Sequence, residues 1–208
     1  MRKLFATIRR GWWPILLIGI LVLAWQSGNR PVRATGAAEF TPTADAHVTL
    51  GAPNQNYGTG PTLHTRNLGS ALSFLQFTVT DLAEAPTQVI LGVYVEATTT
   101  TEFDLYAVAD NSWTESGLTY NNQPALGQLL DSVTAVTGPS WVFIDVSAYV
   151  TGNGVYSFAL ADPDNTQQTV FSSREGSNAP TLTIDGTPPL QDRCDSGISC
   201  IWSNLTTP

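Results

Sequence analysis

The chain is predicted to be all-β, an antiparallel jelly-roll β-sandwich of about ten strands, and three observations carry that expectation. From Phe40 onward, short runs rich in Val, Thr, Ile, Phe and Tyr alternate apolar with polar residues, the period expected of strands with one buried face. Gly, Pro, Asn and Asp separate these runs, and such residues punctuate strands with turns. No long stretch repeats its apolar residues with the 3.6-residue period of a helix. Alternation with one apolar side means two antiparallel sheets across a common core, and about ten strands in roughly 150 residues suit a single sandwich.

Residues 1–34 read as an export segment. Lys3, Arg9 and Arg10 supply the positive charge, and Trp12 to Trp25 form a 14-residue apolar run, short for a membrane span of about 20. Val32-Arg33-Ala34 offers small residues where a signal peptidase would cut. The flanking tryptophans, with Arg30 and Arg33, fit an uncleaved anchor as well. Either way the remainder is expected outside the cytoplasm, secreted or held at the cell surface, touching a membrane only through this segment.

Residues 39–186 form the predicted sandwich. Its strands are expected near Ala44–Thr49, Thr62–Arg66, Ala71–Val79, Val89–Ala97, Glu102–Val108, Ser132–Val136, Trp141–Val146, Gly154–Ala161, Thr169–Ser173 and Thr181–Asp185. Val89, Leu91, Val93 and Val95 share one face, as do Leu182 and Ile184. Between strands, Pro53 to Pro61 and Asp162 to Thr166 are too rich in turn formers to be anything but loops. Residues 187–208 lose the alternation and read as an irregular tail or linker. No internal repeat is visible.

The segment Trp113 to Pro124 follows an alternating strand and cannot continue it. Ser116-Gly117 breaks the extended run, Leu118-Thr119-Tyr120 is a short β-favouring piece, and Asn121-Asn122-Gln123-Pro124 closes with turn chemistry. It is expected to fold back as a latch whose Trp113 plugs the open end of the sandwich, burying on the order of 200 Å². Trp113 or Tyr120 could instead stack on a sugar ring.

Charge is distributed unevenly. The formal net charge is −8, yet beyond residue 34 only Arg66, Arg174 and Arg193 stand against all 17 acids, so 3 − 17 = −14. A lysine-free acidic surface lacks the basic footprint that nucleic acid requires. Cys194 and Cys200 are the only cysteines, and outside the cytoplasm they are expected to close a small disulfide loop.

Catalytic constellations are weakly supported. There is no Gly-x-Ser-x-Gly, and His47 and His64, the only histidines, both lie in predicted strands. A glycosidase needs only two carboxylates a few ångströms apart, but nothing in the sequence marks such a pair. His64 and Arg66, two apart on one strand, point to the same face. There they could mimic a lyase site, lie on a solvated face, or bind, since a guanidinium grips a carboxylate or sulfate bidentately. Calcium is the ion that suits the abundant hard oxygen ligands, as a structural clasp between first and last strands. Asp45, Asp145, Asp162, Asp164 and Glu175 are its candidate ligands, although no EF-hand spacing exists.

The run Trp113-x-Glu115-x-x-Leu118-Thr119-Tyr120-Asn121-Asn122-x-Pro124 resembles the signature of the DNRLRE, or disaggregatase-related, repeat domains, grouped as carbohydrate-binding module family 96. Further pieces align in order: Ala44-Asp45-Ala46-His47-Val48, Asn56-Tyr57-Gly58, Phe74-Leu75-Gln76-Phe77, Ile144-Asp145-Val146-Ser147, and Phe171-Ser172-Ser173-Arg174-Glu175 before Pro180-Thr181-Leu182. The chain departs from the usual pattern at Thr78, where the family carries an Asp. The resemblance implies a non-catalytic module that attaches to polysaccharide or a cell-surface glycan. The alternative is a structural or adhesive β-sandwich with no glycan ligand. Tyr57, His64, Arg66, Trp113 and Tyr120 are the ligand-binding candidates; Tyr57, on a polar loop, is the best placed for exposure, and Trp141, alternating with Phe143, is expected in the core.

Overall fold

A computed structural model of the chain describes residues 37–67, 69–96, 100–163, 168–186 and 199–203. The export segment, Asp164 and Cys194 therefore lie outside the described residues. Twelve strands are present among the described residues: β1 (Ala38–Phe40), β2 (Ala44–Thr49), β3 (Thr62–Arg66), β4 (Ala71–Val79), β5 (Val89–Val95), β6 (Thr100–Val108), β7 (Leu129–Thr137), β8 (Ser140–Asp145), β9 (Gly154–Ala161), β10 (Gln168–Ser172), β11 (Thr181–Ile184) and β12 (Ser199–Ser203). The ten predicted strands are all there. The additions are β1, too short to show alternation, and β12.

The hydrogen-bonded ladders run continuously but divide into two layers. One layer is β1-β11-β5-β8-β12 and the other is β2-β4-β9-β6-β7. The pair β3-β10 joins them by single bridges, Phe171 to Val95 on one side and Arg66 to Ala71 on the other. Every pairing is antiparallel except β12 on β8. That parallel strand corrects the expectation of a wholly irregular tail, because Cys200-Ile201-Trp202 is a short apolar run that lies along an otherwise open edge. Trp202 stacks on Phe143 with ring centroids 4.6 Å apart, and Cys200 is disulfide-bonded.

The main core fills the space between the layers. Val89, Leu91, Val93 and Val95 of β5 meet Leu75, Phe77 and Val79 of β4 and Phe158 and Leu160 of β9, with Leu63 and Phe171 from the bridging pair. A second cluster lies on the outer face of the other layer. There Ala44, Ala46 and Val48 of β2 and Leu72 and Phe74 of β4 pack beneath Trp113 and Leu118 of the latch. Trp113 thus covers the outside of a sheet and not the open end of the sandwich, because the even-numbered positions at the start of β4 are also apolar and need a cover of their own. A third cluster holds Ile90, Trp141 and Phe143, with Trp141 buried as its strand alternation implied.

The latch is closed by local polar bonds. Tyr120–Asn122 forms one 3-10 turn, in line with the turn chemistry of Asn121-Asn122 and taking in Tyr120, which the sequence placed in a short β-favouring piece. Asn122 Oδ1 accepts from the Thr119 amide (2.7 Å) and hydroxyl (3.0 Å), and its amide donates to Gly117 O (2.9 Å). Trp113 Nε1 donates to Ser157 Oγ of β9 at 3.1 Å, so the buried indole carries no orphaned donor.

Candidate functional site: a stacked aromatic groove beside a carboxylate cluster

The side chains of β2 divide by the strand period. Ala44, Ala46 and Val48 go under the latch, so Asp45, His47 and Thr49 take the opposite face. On β3, Leu63 enters the core, leaving Thr62, His64 and Arg66 on the other side. Pairing places Gln168 of β10 opposite Arg66. Of these, His47, Thr49, His64, Arg66 and Gln168, with Ala71 and the loop residue Tyr57, line a surface groove of about 330 Å³.

Three rings stack through this groove. Tyr57 lies 4.4 Å from His47 with an interplanar angle of 18°, and His47 lies 4.5 Å from His64 at 10°. His47 is buried, Tyr57 and His64 are half-buried, and Arg66 and Gln168 are exposed, so the stack opens to solvent beside a guanidinium. Gln168 Nε2 contacts His64 Nδ1, and His64 Nε2 lies 2.9 Å from Thr62 Oγ1.

Burial, helped by the neighbouring His64, lowers His47 to about 4, against a hydrogen bond that the ring donates to the Thr62 backbone. Burial also lowers His64, with Glu96 opposing. Both imidazoles are thus held in the uncharged form at neutral pH, as face-to-face stacking of two potential cations requires. His47 Nδ1 is buried without a hydrogen-bond partner. The groove therefore offers a π-face, neutral polar edges and one fixed positive charge.

Further along the same face of β2, Asp45 meets two other carboxylates. Oxygens of Asp45, Glu115 and Glu175 lie within 4.8 Å of one another. Asp45 Oδ2 accepts from the Arg174 amide at 2.7 Å, and Glu115 Oε1 accepts from the Asp45 amide at 3.1 Å. The Arg174 guanidinium pairs through Nε with Glu175 Oε1 at 2.8 Å and with Glu115 Oε1 at 3.5 Å, while Nη1 donates to Thr43 O. Burial raises the Asp45 carboxyl to about 7; the Arg174 amide works against this, and the charges of Glu175 and Glu115 add to it.

The latch connects the two features. Asn56 Nδ2 donates to Glu115 O at 2.6 Å and to Leu118 O at 2.8 Å, and the Asn121 amide donates to Pro53 O. The loop carrying Tyr57 is in this way tied down by the segment carrying Trp113. Of the five ligand-binding candidates, Tyr57, His64 and Arg66 converge in the groove. Trp113 and Tyr120 pack on the second hydrophobic cluster instead.

Among the five metal-ligand candidates, Asp45 and Glu175 come together with Glu115. Asp145 instead accepts from the Ser147 amide and hydroxyl at the end of β8, and Asp162 is buried near Thr169. His47, Gln168 and Glu115 were not singled out from the sequence. His47 and Glu115 stand in the motif pieces Ala44 to Val48 and Trp113-x-Glu115, which is the signal that could have found them.

Fold and groove together define a β-sandwich module with a surface site on its strands. The chain belongs to carbohydrate-binding module family 96, whose model matches residues 36–186, spanning β1 to β11. No curated protein matches the chain. The family makes this a carbohydrate-binding module.

Proposed function

We propose that this module acts outside the cell, without catalysis of its own, to attach to polysaccharide bearing carboxylate or sulfate groups. The observation that carries the reading is the ring stack in a groove that Arg66 also lines. A sugar ring laid on an aromatic gains apolar contact, and an acidic substituent would meet the guanidinium in a bidentate, charge-assisted pair. Neutral histidines add hydrogen-bonding edges without selecting charge. Export through residues 1–34 and retention near the cell surface complete the proposal.

Affinity electrophoresis tests it, using gels cast with a polyuronate, a sulfated polysaccharide or a neutral glucan. Wild type should be retarded by an acidic polymer, less so at high salt because exposed charge pairs are screened. Tyr57→Ala and Arg66→Gln should each weaken retardation by about tenfold, equivalent to about 1.4 kcal/mol. If no polymer retards the folded wild type, the groove reading falls and the adhesive or spacer role takes its place.

A further inference from the structure

We infer that Asp45, Glu115 and Glu175 form a binding site for a divalent cation of the calcium class, which clasps β2, the latch and the turn after β10. The grouping differs from any that sequence spacing suggested: the three residues come from separate segments, and their oxygens approach within 4.8 Å only in the folded chain.

Two independent observations point to a ligand. Asp45 is 1% exposed, and its Oδ1 is buried with no hydrogen-bond partner while Oδ2 takes the Arg174 amide. A buried carboxylate oxygen left unpaired is costly, and such groups are ordinarily paired or bound to metal. The second observation is charge. One guanidinium, Arg174, pairs with the cluster, so three carboxyl groups stand against one base, and a divalent cation held among them would offset that excess and favour the ionised Asp45 that burial disfavours.

The donor chemistry selects the ion. All three side chains offer hard oxygen, and the group contains no imidazole or thiolate, which disfavours zinc. Calcium takes 6–8 oxygens at about 2.3–2.6 Å in irregular geometry and completes its shell with water. Oxygens across such an ion stand about 4.8 Å apart, as this spread permits. Magnesium demands a tighter octahedron.

The structural consequence reaches the groove. Glu115 presents its carbonyl to Asn56, one residue before Tyr57, so a cation on its carboxylate would stiffen the loop that carries the stack. This is independent of which polysaccharide binds, or of whether any does.

The test uses the full chain after chelation and desalting. Calcium titration by calorimetry and thermal melts in calcium or magnesium should show saturable calcium binding and a melting point raised by several degrees, with a smaller magnesium response. Glu115→Gln and Glu175→Gln should fold and lose at least tenfold in calcium affinity. Asp45→Asn guards against misfolding of those variants: it removes a buried charge, so it should remain folded and lose the calcium-dependent shift. Absence of calcium binding by folded wild type at millimolar concentration overturns the inference. So does a calcium response that survives unchanged in all three variants.

Discussion

Gly58 sits where a side chain has no room. A Cβ there would stand 2.4 Å from Glu115 O and 2.9 Å from its carbonyl carbon, atoms of a backbone that Asn56 already holds. Gly58→Ala should therefore cost about 1–3 kcal/mol by overpacking, read as a lower denaturant midpoint. It should also loosen Tyr57, seen as weaker polysaccharide retardation beyond the loss of stability. A Gly58→Ala variant as stable as wild type would show that the loop and latch are not in register. At this scale the sequence was informative for residues with distinctive chemistry. Tyr57 on a polar loop and the His64, Arg66 pair on one strand face could be read directly. His47 could not, because its role depends on Tyr57 and His64 arriving on either side of it.

At the scale of the element, the latch shows how one segment serves two purposes. Its apolar residues, Trp113 and Leu118, seal the outer face of a sheet, and its polar backbone holds the Tyr57 loop. Trp113→Phe keeps the apolar ring but removes the donor to Ser157, which still accepts from Gln76 at 3.3 Å. A loss of about 1–3 kcal/mol is expected for the missing bond and volume. Trp113→Ala, which empties the site, should cost about 3–5 kcal/mol. Urea unfolding of both variants checks the order, and equal stabilities would contradict a packed plug.

Strand positions were legible because period-two alternation is a local signal. The turn at Asn121-Asn122 was legible from its residue types as well, but its start at Tyr120 was not, since Asn122 bonding back to Thr119 outweighs the weak extended preference of Leu118-Thr119-Tyr120.

At the scale of the whole molecule, acid sensitivity follows from the stack. Burial lowers the folded-state value of His64, whereas the unfolded chain titrates near 6.5. As pH falls below about 6.5, the unfolded state binds a proton first, so stability is complete at neutral pH and declines through the window down to the lowered folded value. Equilibrium unfolding at pH 7 and pH 5 should show lower stability at the acid end, and His64→Gln should reduce that slope. A slope unchanged in the variant would remove the histidine from the account. The stack itself joins β2, β3 and a loop, with β10 supplying Gln168, at the place where β3 and β10 bridge the two layers.

The sequence alone determined that the chain alternates into strands, that two layers would enclose a dry core, and that the charge beyond residue 34 is acidic and lysine-free, because period and charge are written residue by residue. Only tertiary structure decided which face Trp113 would cover, that His47 would be sandwiched between two rings, and that Glu115 would join Asp45 and Glu175. Those outcomes depend on register and on loops meeting across 59 residues and more, as between Asn56 and Glu115, and no local pattern encodes such distances.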